Sequence, residues 1–205
     1  LYRFTPLQSS FGANVVALNG GKPEVMNLTD MLKAFVAFRE EVVARRTKYL
    51  LMKCRERAHV LVGLAIAVAN IDEVIELIRR APDPATAREQ LMTRRWPAHD
   101  VAPLIRLIDD PRHKINDDGT YNLSEEQAKA ILELRLARLT ALGRDEIAEE
   151  LEKIGAEITD FLDILGSRAR IMSIVKDELI AVRDQFSTPR RSEIMDGGSD
   201  MEDED

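Results

Sequence analysis

The chain has 205 residues, 45% hydrophobic and 32% charged but only 5% aromatic, which suits one soluble globular domain or two small ones and favours helix. The formal charge of −7 belongs to residues 193–205, where seven acids stand without a base, so the body is neutral and the tail reads as disordered. Cys54 is the only cysteine, which excludes an internal disulfide and suits a reducing cytoplasm; no run is long and apolar enough for a membrane span, and no signal peptide appears.

Residues 1–26 are the only β-like part. Val15 to Leu18 is a short β-branched run, closed by "NGGKP" (Asn19 to Pro23), a turn whose lysine lacks the following helix of a phosphate loop. A helix then starts at the N-cap Asn27 and runs to about Ala69. Its apolar stripe follows Met31, Phe35, Phe38, Val42, Tyr49 and Met52, then shifts to Leu50, Cys54, Ala58, Leu61, Ala65 and Val68. Such a slip marks a stutter or a change of packing partner.

Residues 70–143 read as a compact head of short helices. Asn70 caps "IDEVIELIRR", Asp83–Pro84 opens the next segment, and Pro97 begins a third that reaches Ile108. Asp118–Gly119 predicts a tight turn in the polar loop of residues 110–122, and Ser124 with Gln127 forms a capping box. Trp96 reads as a packing anchor, with Met52, Met92 and Met172 as core filler. The next stretch, "EEQAKAILELRLARLTALG", predicts one helix closed by Gly143. Wound at about 100° per residue, its apolar positions cover some 200°, roughly twice one buried face, with Arg135 inside the arc. Such a helix can pack inward on its head and outward on a two-fold mate, with Arg135 either at that interface or snorkelling out at the head's edge. The expected dimer contacts are Gln127, Ile131, Leu132, Arg135, Leu136 and Leu139.

The clearest periodicity follows. Steps of four and three from Ile147 give Leu151, Ile154, Ile158, Phe161, Leu165, Arg168, Met172, Val175, Leu179, Val182 and Phe186, a coiled-coil seam in which only Arg168 is not apolar. Gly166–Ser167 just before it is where the helix bends or restarts, and is the hinge candidate. Residues 27–69 and 144–186 match in length, each extending roughly 65 Å at 1.5 Å per residue, which predicts that they pair antiparallel. The expected fold is all-α: a long antiparallel coiled-coil hairpin with arms at 27–69 and 144–186. It carries a small helical globular dimerisation domain at 70–143, a short β-like segment at 1–26 and a disordered acidic linker at 187–205.

Catalytic chemistry is absent from this reading. His59, His99 and His113 are scattered without metal-ligand spacing, the pairs Asp109–Asp110 and Asp117–Asp118 read as solvated acids, and Cys54 has no base partner. One arm carries Arg39, Arg45, Arg46, Lys48, Lys53, Arg55 and Arg57 against three acids, a local charge of +4. That run is either a solvated coiled-coil face or, at Arg45, Arg46, Lys48, Lys53, Arg55 and Arg57, a surface that touches nucleic-acid phosphates.

Three blocks resemble a known family: "LYRFTPLQSSFGANVVALNGGKPEVMNL", "EEVVARRTKYLLMKCRERAHVLVGLAIAVANIDEVIELIR" and "LSEEQAKAILELRLARLTALGRDEI" are similar to the A subunits of bacterial DNA gyrase. The likeness covers nearly the whole chain and is of the alphaproteobacterial type; the A subunit of topoisomerase IV is the close alternative, and an RNA-holding coiled-coil arm the more distant one. The resemblance implies a piece of a larger polypeptide, with residues 1–26 ending the tower region and the acid tail leading to the DNA-wrapping domain. It implies that the head is the dimerising exit gate through which a passed duplex leaves. It further implies a homodimer that joins the B subunit in an A2B2 tetramer on double-stranded DNA. Mg²⁺ and ATP would be held by that B subunit, with no cofactor or catalytic residue in this segment. In some members a plasmid addiction toxin binds around this gate.

Overall fold

The computed structural model describes residues 4–7, 9, 12–98, 101–109, 114–134 and 141–194, with the side chains of residues 141 and 142 left aside. Among them the chain is mostly helical, with two short strand pairs. Strands β1 (Val16–Asn19) and β2 (Lys22–Val25) form an antiparallel hairpin around Gly20 and Gly21. Both glycines have positive φ, 58° and 82°, as a primed hairpin turn requires.

Helix α1 (Leu28–Ala69) begins as expected, the Asn27 side chain accepting the Asp30 N–H at 2.9 Å. Helices α2 (Ile71–Arg80), α3 (Pro84–Thr93) and α4 (Ala102–Ile108) follow. Asp83 caps α3 through the Thr86 N–H. Asn70 does not cap α2: its side chain donates back to the Ile66 carbonyl and closes α1 instead.

β structure is not confined to residues 1–26. Strands β3 (Arg95–Pro97) and β4 (Thr120–Asn122) pair antiparallel, bringing Trp96 opposite Tyr121. The turn before β4 places Gly119 at φ 76°, and Asp118 accepts the Thr120 N–H.

The predicted helix over 125–143 is overturned. Helix α5 (Glu125–Leu132) stops after eight residues, and α6 (Ala141–Gly166) has already begun two residues before Gly143. Gly143 therefore lies within a helix rather than after the end of one, a position where its weak propensity costs about 1 kcal/mol.

Helix α7 (Arg168–Phe186) is separated from α6 at Ser167, whose extended backbone and side chain cap α7 through the Arg170 N–H. Helices α6 and α7 lie beside α1 and run the opposite way. Arg57 meets Glu150, Cys54 meets Glu157, Glu40 meets Arg168, and Arg39 meets Glu178.

The burial pattern corrects both seams. The inward face of α1 passes through Val43, Thr47, Leu51, Cys54, Ala58 and Leu61 without a slip. Phe35, Phe38, Tyr49 and Met52 stay exposed, so Met52 is not core filler. In α6, Ile147, Leu151, Ile154 and Ile158 are buried as predicted. The break then moves the seam to Ile164, Ile171 and Val175, leaving Arg168 outside it. A strict repeat fixes which residues share a face but not which partner covers that face.

The main core gathers α1 from Leu51 onward with α2 to α5, strands β3 and β4, and α6 as far as Ile158. Trp96 anchors it, fully buried, its indole N–H donated to the Leu91 carbonyl at 2.9 Å.

Candidate dimerisation site and arm contacts

Helix α5 is fixed to the protomer by a buried polar network. The Ser124 hydroxyl accepts the Gln127 N–H at 3.2 Å while the Ser124 N–H is donated to the Gln127 side chain at 2.9 Å, completing the capping box. The Gln127 amide then donates to the His59 carbonyl at 2.6 Å and to the Tyr121 hydroxyl at 3.2 Å. The His59 Nε2 lies 2.7 Å from the Ser124 Oγ. Gly63 makes the approach possible, because a Cβ there would fall 2.6 Å from Gln127 Cβ. Sequence reading found the capping box but not the reach to His59, because the two residues lie 68 positions apart.

Two of the six expected dimer contacts are thereby corrected. Gln127 and Ile131 face inward and are buried within the protomer, at 0% and 5% exposure, so neither is free to meet a second copy. Leu132 is half-buried and packs with Leu134 on the edge of the same core. Arg135, Leu136 and Leu139 lie outside the described residues. Next to the start of α6, a cleft of about 750 Å³ opens on Ala65, Ala69, Ala98, Leu104, Ile147 and Ala148.

The basic run is largely spent inside the chain. Arg39 and Arg46 both bind Glu178, Arg45 binds Glu41, Lys53 binds Glu56 at 2.8 Å, and Arg57 binds Glu150 at 2.7 Å. Among the described residues, Lys48 has no ion pair and the Nε of Arg55 is buried without a hydrogen-bond partner. Five of the seven bases are therefore matched by carboxylates; Glu41 and Glu56 already stand within the local +4, and only Glu150 and Glu178 are brought to it by the packing of the arm.

The pairs also set protonation. Glu178 is held below the ordinary carboxylate range chiefly by its hydrogen bond from Arg46, with Arg39 adding to it. Arg168 does the same for Glu40. Burial pushes the Cys54 thiol up, and Glu157 beside it adds to the effect, so Cys54 stays a thiol rather than a nucleophilic thiolate.

The Gly166–Ser167 candidate falls on a true helix break. Of the scattered histidines, His59 is in the network above; His99 and His113 lie outside the described residues. Asp118 is engaged by Thr120 and Arg95. Among the described residues no three His, Cys, Asp or Glu side chains gather as a metal site, and no helix is long and apolar enough to cross a membrane.

Comparison with known proteins agrees with the blocks quoted above. Residues 1–180 match the family of the DNA gyrase/topoisomerase IV A subunits. The whole chain aligns with the DNA gyrase A subunit of Granulibacter bethesdensis at 53% identity, of Rickettsia bellii at 49%, and of Salmonella typhimurium at 46%. It spans 22% of the length of the first two relatives and 24% of the third. The chain belongs to the DNA gyrase/topoisomerase IV A subunit family.

Proposed function

We propose that this segment is the exit gate of a gyrase-type A subunit. Helix α1 with α6 and α7 is an antiparallel coiled-coil hairpin, and the head it carries holds two copies together and parts to release a passed duplex. One observation carries the reading. The rod formed by α1 against α6 and α7 ends in a closed core at one end, while its other end leaves Leu28, Leu32, Phe38 and Phe186 exposed. An apolar base and a self-sufficient knob suit a lever rooted in a larger body.

In this reading residues 1–26 end the tower, 27–69 and 144–186 are the arms, 70–143 is the dimerisation domain and 187–205 leads to the wrapping domain. The dimer contact falls on Leu132, Arg135, Leu136 and Leu139, with the neighbouring cleft supplying uncovered apolar surface for a two-fold mate. The complete enzyme is a cytoplasmic A2B2 assembly on double-stranded DNA. It introduces negative supercoils by ATP-dependent double-strand passage, a type II topoisomerase reaction, and its B subunit holds ATP and Mg²⁺. The topoisomerase IV A subunit is the nearest alternative, sharing the same gate. The basic run serves mainly as the arm's own fastening, which leaves the exposed Lys48 to face a duplex in transit.

Sedimentation velocity tests the gate. The chain is expected to sediment as a dimer, and the triple variant Leu132→Glu, Arg135→Ala, Leu136→Glu as a monomer with unchanged helix content. A triple variant that remains dimeric removes this surface as the contact.

A further inference from the structure

Helix α7 is attached differently from the helices of the head. Its apolar anchor is a satellite core of four buried residues, Val43, Ile164, Ile171 and Val175, separate from the main core. Beyond that core Leu179, Val182 and Phe186 are exposed, so α7 has little apolar hold on α1 past Val175.

Polar contacts supply the rest. The Arg168 guanidinium forks onto Glu40 at 2.7 and 3.0 Å. One carboxylate, Glu178, receives both Arg39, at 2.7 Å, and Arg46. Those arginines stand seven residues apart on α1, so Glu178 is fastened across two helical turns. All these groups keep contact with water, with side-chain exposures from 24% for Glu40 to 78% for Arg168. They can therefore be exchanged for solvent at small cost.

The break is built for separate movement. Ser167 supplies α7 with its own N-cap, so α7 does not need α6 to satisfy its first turn. Gly166 meets nothing within 4 Å of where a Cβ would sit. Arg170 reaches back to Asp160 and Asp163 at 2.7 and 3.3 Å and keeps the start of α7 beside the end of α6.

We infer that α7 is a strap which peels from α1 about Ser167 while α6 and the head stay docked, and that Glu178 is the latch holding it down. The moving part of the arm is then one helix rather than the whole hairpin. Its use in opening a gate rests on the function proposed above; the peeling itself does not.

Hydrogen exchange on the whole chain, read by mass spectrometry, tests the strap. Glu178→Gln is expected to raise exchange across α7 about three- to tenfold, as the loss of two partly exposed pairs allows. The buried turns of α1 from Ala58 and of α6 from Ile147 to Ile158 should not change. Val175→Ala should raise α7 exchange further with the head again unmoved. The reversed set Glu178→Arg, Arg39→Glu, Arg46→Glu should restore the original protection, which a merely structural role for the Glu178 side chain would not produce. Unchanged α7 exchange in Glu178→Gln, a rise shared equally by head and α7, or no rescue by the reversed set would each overturn the strap. Sedimentation of the same samples keeps the two readings apart: a monomer with the α7 pattern intact defeats the gate alone, and a dimer with unresponsive α7 defeats the strap alone.

Discussion

The head and the strap draw on the same stock of Val, Ile, Arg and Glu yet hold themselves together in opposite ways. In the head, Trp96, Tyr121, Leu61 and Leu91 are sealed from water, and polar side chains enter only when fully partnered, as Gln127 and Ser124 are. Along α7 the apolar anchor is small and the ion pairs face solvent. The first arrangement resists partial opening, because any gap exposes a close-packed interior and orphans buried donors. The second yields in small steps. The function proposed above, in which one end stays shut while the other gives way, calls for both.

The contrast sharpens into expected outcomes. Trp96→Ala should have the largest effect, lowering global stability by about 3–5 kcal/mol in urea unfolding through loss of the anchor and its indole hydrogen bond. Gly63→Val comes next, at roughly 1–3 kcal/mol or more, because any Cβ there meets Gln127 at 2.6 Å and forces α5 away from α1. If either variant loosened α7 without the head in hydrogen exchange, the comparison would be inverted.

Acid should separate the two regions without a mutation. Glu178 titrates below its ordinary 4.5 in the folded state, so its contribution is complete above that value and fades as pH falls from about there through the lowered one. Glu40 behaves alike through Arg168. On acidification from pH 6, α7 amides should lose protection before those of the buried α1 turns; simultaneous loss would contradict the division. Lys53→Ala should have the smallest effect, within about 0.5 kcal/mol by thermal unfolding, since its pair with Glu56 is an exposed neighbour contact.

Local chemistry was legible in the sequence, and long-range partnership was not. Asn27, Asp83, the Ser124–Gln127 box and the turns at Gly20–Gly21 and Gly119 each depend on residues within four positions, and each stands where local rules place it. Trp96 read correctly as an anchor, but its pairing with Tyr121 needs a contact 25 residues away that no local pattern encodes. The apolar stripes of α1 were visible, but which of them faces α6 is decided by α6. That is why Val43, Thr47 and Leu51 lie inside while Phe35, Tyr49 and Met52 lie outside. The wide apolar arc assigned to residues 125–143 assumed a single helix, and the end of α5 at Leu132 removes that assumption. For the proposed dimer contact, the pattern could not separate Gln127 and Ile131, which are buried within the protomer, from Leu132 at the edge of the core.

The fully buried position of Trp96 has a spectroscopic consequence. It is the sole tryptophan, it lies in the head, and the Arg94 guanidinium stands 4.9 Å from its ring. Its emission is therefore a built-in lamp for one end of the molecule, blue-shifted while the knob is intact and dark to whatever the distant helix does. A second fluorophore placed on α7 would turn the chain into its own two-colour recorder of which end moves first.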